Sequence, residues 1–205
     1  VEDAIEAQSG PTYEGALDAH EQYELLDMES MYVQAVESSF DMALIRSKAT
    51  HLAYDAMFGA GQFVMKRLFG ADMTYLHCDT NPGFYGTAPE PILKNLKPFA
   101  RLMAENADLH CGLATDGDAD RIGLFNRSGH FVDSHHIILL LVHYLVKYKG
   151  YTGKVISAFS VSRKLQKLCA HYGLELHTTK IGFKHITGFF LEEDILLGGE
   201  ESGGI

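Results

Sequence analysis

The chain has 205 residues, 46% of them hydrophobic, enough to bury one or two cores of ordinary domain size. Its 17 Lys and Arg against 27 Asp and Glu give a formal net charge of −10, which argues against a nucleic-acid partner, since a polyanion is bound by clustered cations. The most apolar stretch, residues 137–146, is broken by His143 and falls short of the roughly 20 residues that a bilayer crossing needs, so no membrane partner is expected.

The charge is unevenly placed. No Lys or Arg precedes Arg46, whereas 11 of the 27 acidic residues do. Residues 1–29 therefore read as a solvated acidic lead-in around the turn-prone Ser9-Gly10-Pro11. The chain begins with Val, and nothing near it resembles a signal peptide. Cys78, Cys111 and Cys169 are odd in number and form no C-x-x-C pair. Neither a disulfide framework nor a zinc knuckle is expected, and a cytoplasmic location suits them.

Short β-rich runs bounded by Gly, Pro or Asp alternate with longer helical patterns, the signature of an α/β fold. The spacing predicts a helix over 29–40, a strand over 52–57, a helix over 62–68 and a strand over 73–78. A loop rich in Asn, Pro and Gly follows at 79–89, and Pro91 is placed as the first residue of a helix reaching Asn106. An apolar run at 109–114 then leads into a polar knot at 115–121 and a hairpin over 122–132 that turns at Asn126-Arg127-Ser128-Gly129. A domain boundary is expected near Asp133, which divides the chain into 30–133 and 134–205. Beyond it the pattern predicts a helix through Tyr148, strands at 154–159, 174–178 and 195–198, and helices at 162–172 and 183–193, with Ser162 an ordinary N-cap. A further element is expected to close this second sheet, so the unit reads as truncated.

The strongest chemical signal is Thr115-Asp116-Gly117-Asp118-Ala119-Asp120-Arg121. Like charges about 4 Å apart repel by about 1 kcal/mol even in water, so three carboxylates at alternate positions call for a positive partner. All-oxygen ligands on a tight loop suit a hard cation such as Mg²⁺. An acidic surface turn is the plain alternative. An EF-hand loop is excluded, because its required Gly and Glu positions hold Arg121 and Arg127.

The second signal is Gly198-Gly199-Glu200-Glu201-Ser202-Gly203-Gly204, after an apolar strand. Its glycines allow close approach of a ligand, and its Glu and Ser side chains suit a hydroxyl-rich one; a flexible turn is the alternative. Between the two signals, Lys180-Ile181-Gly182-Phe183-Lys184-His185 sets cations at a helix start, where they oppose the helix dipole unless an anionic ligand joins them; a surface turn is again the alternative.

Together these loops, in this order, resemble the α-D-phosphohexomutase family, the phosphoglucomutases and phosphomannomutases. The run 116–121 looks like the family's metal-binding loop in its second domain, and 199–204 like its sugar-binding loop in the third. The segments 54–61, Pro89-Glu90-Pro91 and Gly182-Phe183-Lys184 also resemble family text, so the likeness covers about residues 30–205. It implies two consecutive α/β domains with mixed sheets flanked by helices, the second incomplete. It also implies an isomerase that interconverts hexose 1-phosphate and hexose 6-phosphate through a phosphoserine, with a hexose 1,6-bisphosphate as intermediate or activator. In that scheme Asp116, Asp118 and Asp120 hold Mg²⁺ and Arg121 steadies the transferring phosphoryl group. Glu200 and Ser202 grip sugar hydroxyls, and Lys184 contacts the ligand or moves a proton.

The family's Thr-x-Ser-His-Asn-Pro nucleophile loop of domain 1 and its phosphate-binding loop of domain 4 are not in these 205 residues. Ser134-His135-His136 lacks the Asn-Pro, so this chain alone is expected to be catalytically silent and to need both domains. Glu201 resembles glucose-preferring relatives, and Gly204 stands where dual-specificity members have His, which leans the reading to glucose. Two other classes are carried. One is a non-catalytic metal- or sugar-binding module; the other is a nucleotide-binding oxidoreductase, suggested by Gly59-Ala60-Gly61, which lacks the third Gly of the fingerprint. His135, His136, His143 and His171 are assigned to packing or solvent.

Overall fold

The computed structural model describes residues 25–205, so most of the acidic lead-in lies outside the described residues. Helix α1 (Met28–Ser39) is capped by Asp27, whose carboxylate accepts the Ser30 N–H at 2.9 Å. Asp41 caps the short α2 (Met42–Arg46) in the same way through Leu44 N–H, at 3.0 Å. The sequence pattern does not announce α2, because five residues are too few to show a helical period.

There follow β1 (Leu52–Asp55), α3 (Gly61–Phe69), β2 (Thr74–Leu76), α4 (Lys97–Glu105), β3 (Cys111–Thr115), β4 (Ile122–Asn126) and β5 (Phe131–Val132). They build a mixed sheet in the order β2-β1-β3-β4-β5: β1 runs parallel to β2 and β3, and β3, β4 and β5 are antiparallel neighbours. Buried and half-buried residues alternate along β3 and β4. Phe99 and Met103 of α4 pack there on Ala114 and Phe125, with the Phe99 and Phe125 rings edge-on at 5.2 Å.

Among the boundaries that differ from the sequence pattern, two have a clear local cause. Helix α4 starts at Lys97, with Pro98 rather than Pro91 in its first turn. Pro91 instead sits buried in a pair of tight turns, where Glu90 N–H donates to Ala88 C=O and Ile92 N–H to Glu90 C=O, both at 2.8 Å. Strand β1 stops at Asp55 because Met57 (φ 47°) and Phe58 (φ 64°) turn left-handed, a conformation costing about 1–3 kcal/mol at such residues.

The second unit comprises α5 (Ser134–Lys147), β6 (Lys154–Ala158), α6 (Lys164–Tyr172), β7 (Leu176–Thr179), α7 (Lys184–Glu192) and β8 (Ile195–Gly199). Its strands, ordered β7-β6-β8, are all parallel. Central β6 is buried from Val155 to Ala158, as a strand covered on both faces must be. Val155 joins Ile138 and Val142 of α5 and Leu165 of α6, while Gly198, paired with Ile156 in the sheet, backs onto Ile186 and Phe190 of α7. Ser162 is not the N-cap: α6 begins at Lys164 after Arg163, although the Ser162 hydroxyl still accepts the Lys164 N–H at 3.3 Å.

The carboxyl ends of β6 and β8 flank the point where successive crossovers leave in opposite directions, which in open parallel sheets is where ligands bind. Phe99→Ala should lower the stability of the first unit by about 3–5 kcal/mol in urea unfolding, and a loss under about 1 kcal/mol would show that α4 does not hold this sheet.

Candidate functional site

The ladder between β3 and β4 closes at the Thr115–Ile122 pair, and residues 116–121 must reverse the chain between them. Asp116, fully buried, organises that reversal. Its carboxylate accepts the Arg121 N–H at 3.0 Å and the Arg121 Nε–H at 2.7 Å. Ala119 adopts φ 64°, and the exposed Asp118 and Asp120 are brought back toward Asp116. One carboxylate oxygen from each aspartate lies within 4.8 Å of the others.

Arg121 Nε also lies 3.6 Å from an Asp120 oxygen, so one guanidinium faces two of the three carboxylates. Burial works against the Asp116 anion, but the Arg121 amide and guanidinium outweigh it and hold its carboxyl below the usual range. The Asp120 carboxyl is pushed up by its hydrogen bond with Asp116, by desolvation and by the charges of Asp116 and Asp118, with Arg121 opposing. The donors are all hard oxygens, two of the three face solvent, and the positive charge supplied is smaller than the negative. That set fits a hard divalent cation which keeps part of its water shell.

The loop is braced from below. Tyr54 OH and Thr115 Oγ1 lie 2.6 Å apart at the end of β3, and burial pushes the Tyr54 phenol up to about 12, so it stays neutral. Ala60 N–H donates to Gly117 C=O at 2.9 Å, and Gly117 N–H donates to Pro89 C=O at 3.2 Å. Gly59 presses on the loop so closely that a Cβ there would stand 2.6 Å from the Gly117 carbonyl oxygen. The nucleotide-binding alternative gains no support here: Gly61, the position at which that fingerprint lets backbone approach a pyrophosphate, faces Tyr54, whose OH would stand 2.1 Å from a Cβ there.

The glycine-rich loop follows β8 and meets the aspartate loop directly. Ile122 N–H donates to Gly203 C=O at 3.3 Å; Gly203 (φ 104°) holds a backbone conformation that favours glycine, and a Cβ there would crowd the Ile122 backbone at 3.1 Å and the Arg121 Cβ at 3.3 Å. Glu200, 6% exposed, accepts the Gly182 N–H at 2.6 Å through Oε1, and so ties this loop to the turn carrying Lys180 and Lys184. Glu201 is anchored twice, its carboxylate by Ser160 Oγ–H and its carbonyl by Ser134 Oγ–H.

The structure therefore brings Asp116, Asp118, Asp120 and Arg121 into one cluster and sets the loop of Glu200 and Ser202 beside it. Ser202 and Lys184 are exposed, and among the described residues their side chains have no hydrogen-bond partner, nor do the Arg121 Nη atoms. Reading the sequence misses three supports. Ser160 carries no signal of its own beside the N-cap candidate Ser162, Ser134 looks like part of a false nucleophile motif, and Glu200 like a free sugar ligand rather than the clasp of the Gly182 turn. For Ser160 and Ser134 the missing signal is spatial, because each meets Glu201 from 41 and 67 residues away.

Comparison with known proteins matches residues 30–129 to the phosphoglucomutase/phosphomannomutase alpha/beta/alpha domain II and residues 133–205 to domain III. A Thermococcus kodakarensis phosphoglucomutase/phosphomannomutase is 27% identical over 87% of this chain and 40% of its own length. A Methanopyrus kandleri protein assigned as a phosphoglucosamine mutase is 30% identical over 88% of this chain and 40% of its own. Among solved structures, a Thermus thermophilus protein assigned as a phosphomannomutase superposes with TM-score 0.79 at 33% identity, over 88% of this chain and 42% of that one. The chain spans about 40% of the length of these relatives.

Glu200→Ala should free the Gly182 amide. Losing a hydrogen bond to a charged group costs about 1.5–3 kcal/mol, so hydrogen exchange at Gly182 should quicken by about tenfold or more, and an unchanged rate would show that Glu200 does not hold the turn.

Proposed function

Because this chain belongs to the phosphoglucomutase/phosphomannomutase family, we propose that it carries the metal-binding and sugar-binding loops of a phosphohexomutase. The complete protein is then an isomerase that interconverts hexose 1-phosphate and hexose 6-phosphate through a phosphoserine and a bisphosphorylated sugar. The observation that supports this reading is the junction of the two loops, Ile122 N–H to Gly203 C=O with Arg121 against Gly203, which brings the aspartate loop and the glycine-rich loop together.

Asp116, Asp118 and Asp120 are the residues that would hold Mg²⁺, which when bound supplies positive charge to phosphoryl oxygens. Arg121 is shared. Its Nε stays on Asp116, and its Nη atoms are available to the phosphoryl group as negative charge spreads over the equatorial oxygens. Glu200 uses one carboxylate oxygen on Gly182 and has the second for a sugar hydroxyl, while Ser202 Oγ can donate or accept at the next hydroxyl. Lys184 opens α7 with a charge that the helix dipole disfavours and that a ligand phosphate would offset. Glucose is the proposed sugar. Glu201 acts on that preference indirectly, through loop shape, because its carboxylate is committed to Ser160.

The nucleophile is proposed to come from the domain 1 loop that these 205 residues do not contain. Conversion of glucose 1-phosphate to glucose 6-phosphate by the complete polypeptide should require Mg²⁺ and fall by about 10²-fold in Asp118→Asn, while the chain alone should show no turnover. Turnover by the isolated chain, or undiminished turnover by the complete polypeptide in EDTA, would contradict the proposal.

A further inference from the structure

Asp55 ends β1 with a carboxylate that is fully buried and that takes no part in the sugar or metal loops themselves. A carboxylate so placed must find donors to replace water. Asp55 has two: Oδ1 accepts the Met57 N–H at 2.8 Å, and His77 Nδ1 lies 2.9 Å from both oxygens. His77 directly follows β2, the parallel neighbour of β1, so a single carboxylate clamps the turns leaving two adjacent strands.

Both turns are left-handed at residues other than glycine: Met57 (φ 47°), Phe58 (φ 64°) and His77 (φ 47°). The two turns are also joined to each other. Phe58 N–H donates to His77 C=O at 2.8 Å, and the two rings pack with centroids 4.7 Å apart. Such backbone persists only where its surroundings over-determine it, and it gathers at functional sites. The next two residues show which site this is. Gly59 lies against the Asp116 and Gly117 carbonyls, and Ala60 N–H donates to Gly117 C=O at 2.9 Å.

We propose that Asp55 and His77 are positioning residues for the cation seat. They fix the turn at 57–60, and that turn fixes the backbone from which Asp116, Asp118 and Asp120 project. The inference rests on the metal reading given above and deepens it, assigning part of the seat's affinity to a pair in contact with neither cation nor sugar. Partners behind a set of metal ligands typically change affinity by about 10- to 100-fold.

The test uses the 205-residue chain with Mn²⁺ as probe, free Mn²⁺ being followed by electron paramagnetic resonance and Ala60 amide exchange serving as a second readout. His77→Asn keeps a donor near the Nδ1 position and a residue at ease with positive φ, whereas His77→Leu keeps the bulk and removes the donor. The unaltered chain and His77→Asn should bind Mn²⁺ within about threefold of each other. His77→Leu should bind about tenfold more weakly or worse and exchange the Ala60 amide faster. If His77→Leu does not fold, Asp55→Asn, isosteric and without the charge, should show the same loss. Equal Mn²⁺ affinity across the folded variants would overturn the inference. Absence of Mn²⁺ binding by the unaltered chain would instead overturn the metal reading; in that case an unchanged Ala60 exchange rate in His77→Leu would separately overturn the positioning role.

Discussion

Three aspartates held with carboxylate oxygens within 4.8 Å of one another, and one guanidinium beside two of them, make a local excess of negative charge that the rest of the first unit is built to maintain. Repulsion between two such charges is about 1 kcal/mol in water and about 4 kcal/mol at the effective dielectric of a protein surface. A free loop would relax by spreading. This one is prevented from doing so by Arg121 on Asp116, by Tyr54 on Thr115, and by the Gly59 and Pro89 backbones pressed against Gly117. The strain appears in the backbone, with Ala119 left-handed inside the loop and Met57 and Phe58 left-handed beneath it.

The second unit meets this cluster through backbone, Ile122 N–H donating to Gly203 C=O. Its contribution is backbone geometry at the carboxyl ends of parallel strands, where Gly203 touches Arg121 and Ile122 and Glu200 holds the Gly182 turn. Glu200 therefore has a structural job, one of its carboxylate oxygens holding the Gly182 amide. Ser134 and Ser160 anchor the neighbouring Glu201, so the loop is held at two successive residues.

Much of this was legible in the sequence, for reasons that differ by element. The alternation of strands and helices could be read because Gly, Pro and Asp punctuate it, and the aspartate loop because three acids directly follow an apolar strand. The start of α4 was not, since Pro91 and Pro98 are equally suited to a helix start and only the packing of residues 88–92 decides between them. Nor was the commitment of Arg121 to Asp116, which needs the chain reversal to exist first. Asp55 and His77 stand 22 residues apart, one ending β1 and the other just past β2, and their pairing follows from parallel register, a property that no local pattern encodes.

The account stands or falls on what the three aspartates are for. Anomalous diffraction from crystals of this chain grown in saturating Mn²⁺ measures that directly. A single strong peak among Asp116, Asp118 and Asp120, with metal–oxygen distances of about 2.1–2.2 Å, is the predicted result, close to the ~2.0–2.1 Å that Mg²⁺ demands. A map with no peak there, and the Asp118 and Asp120 side chains turned away from Asp116, would contradict it.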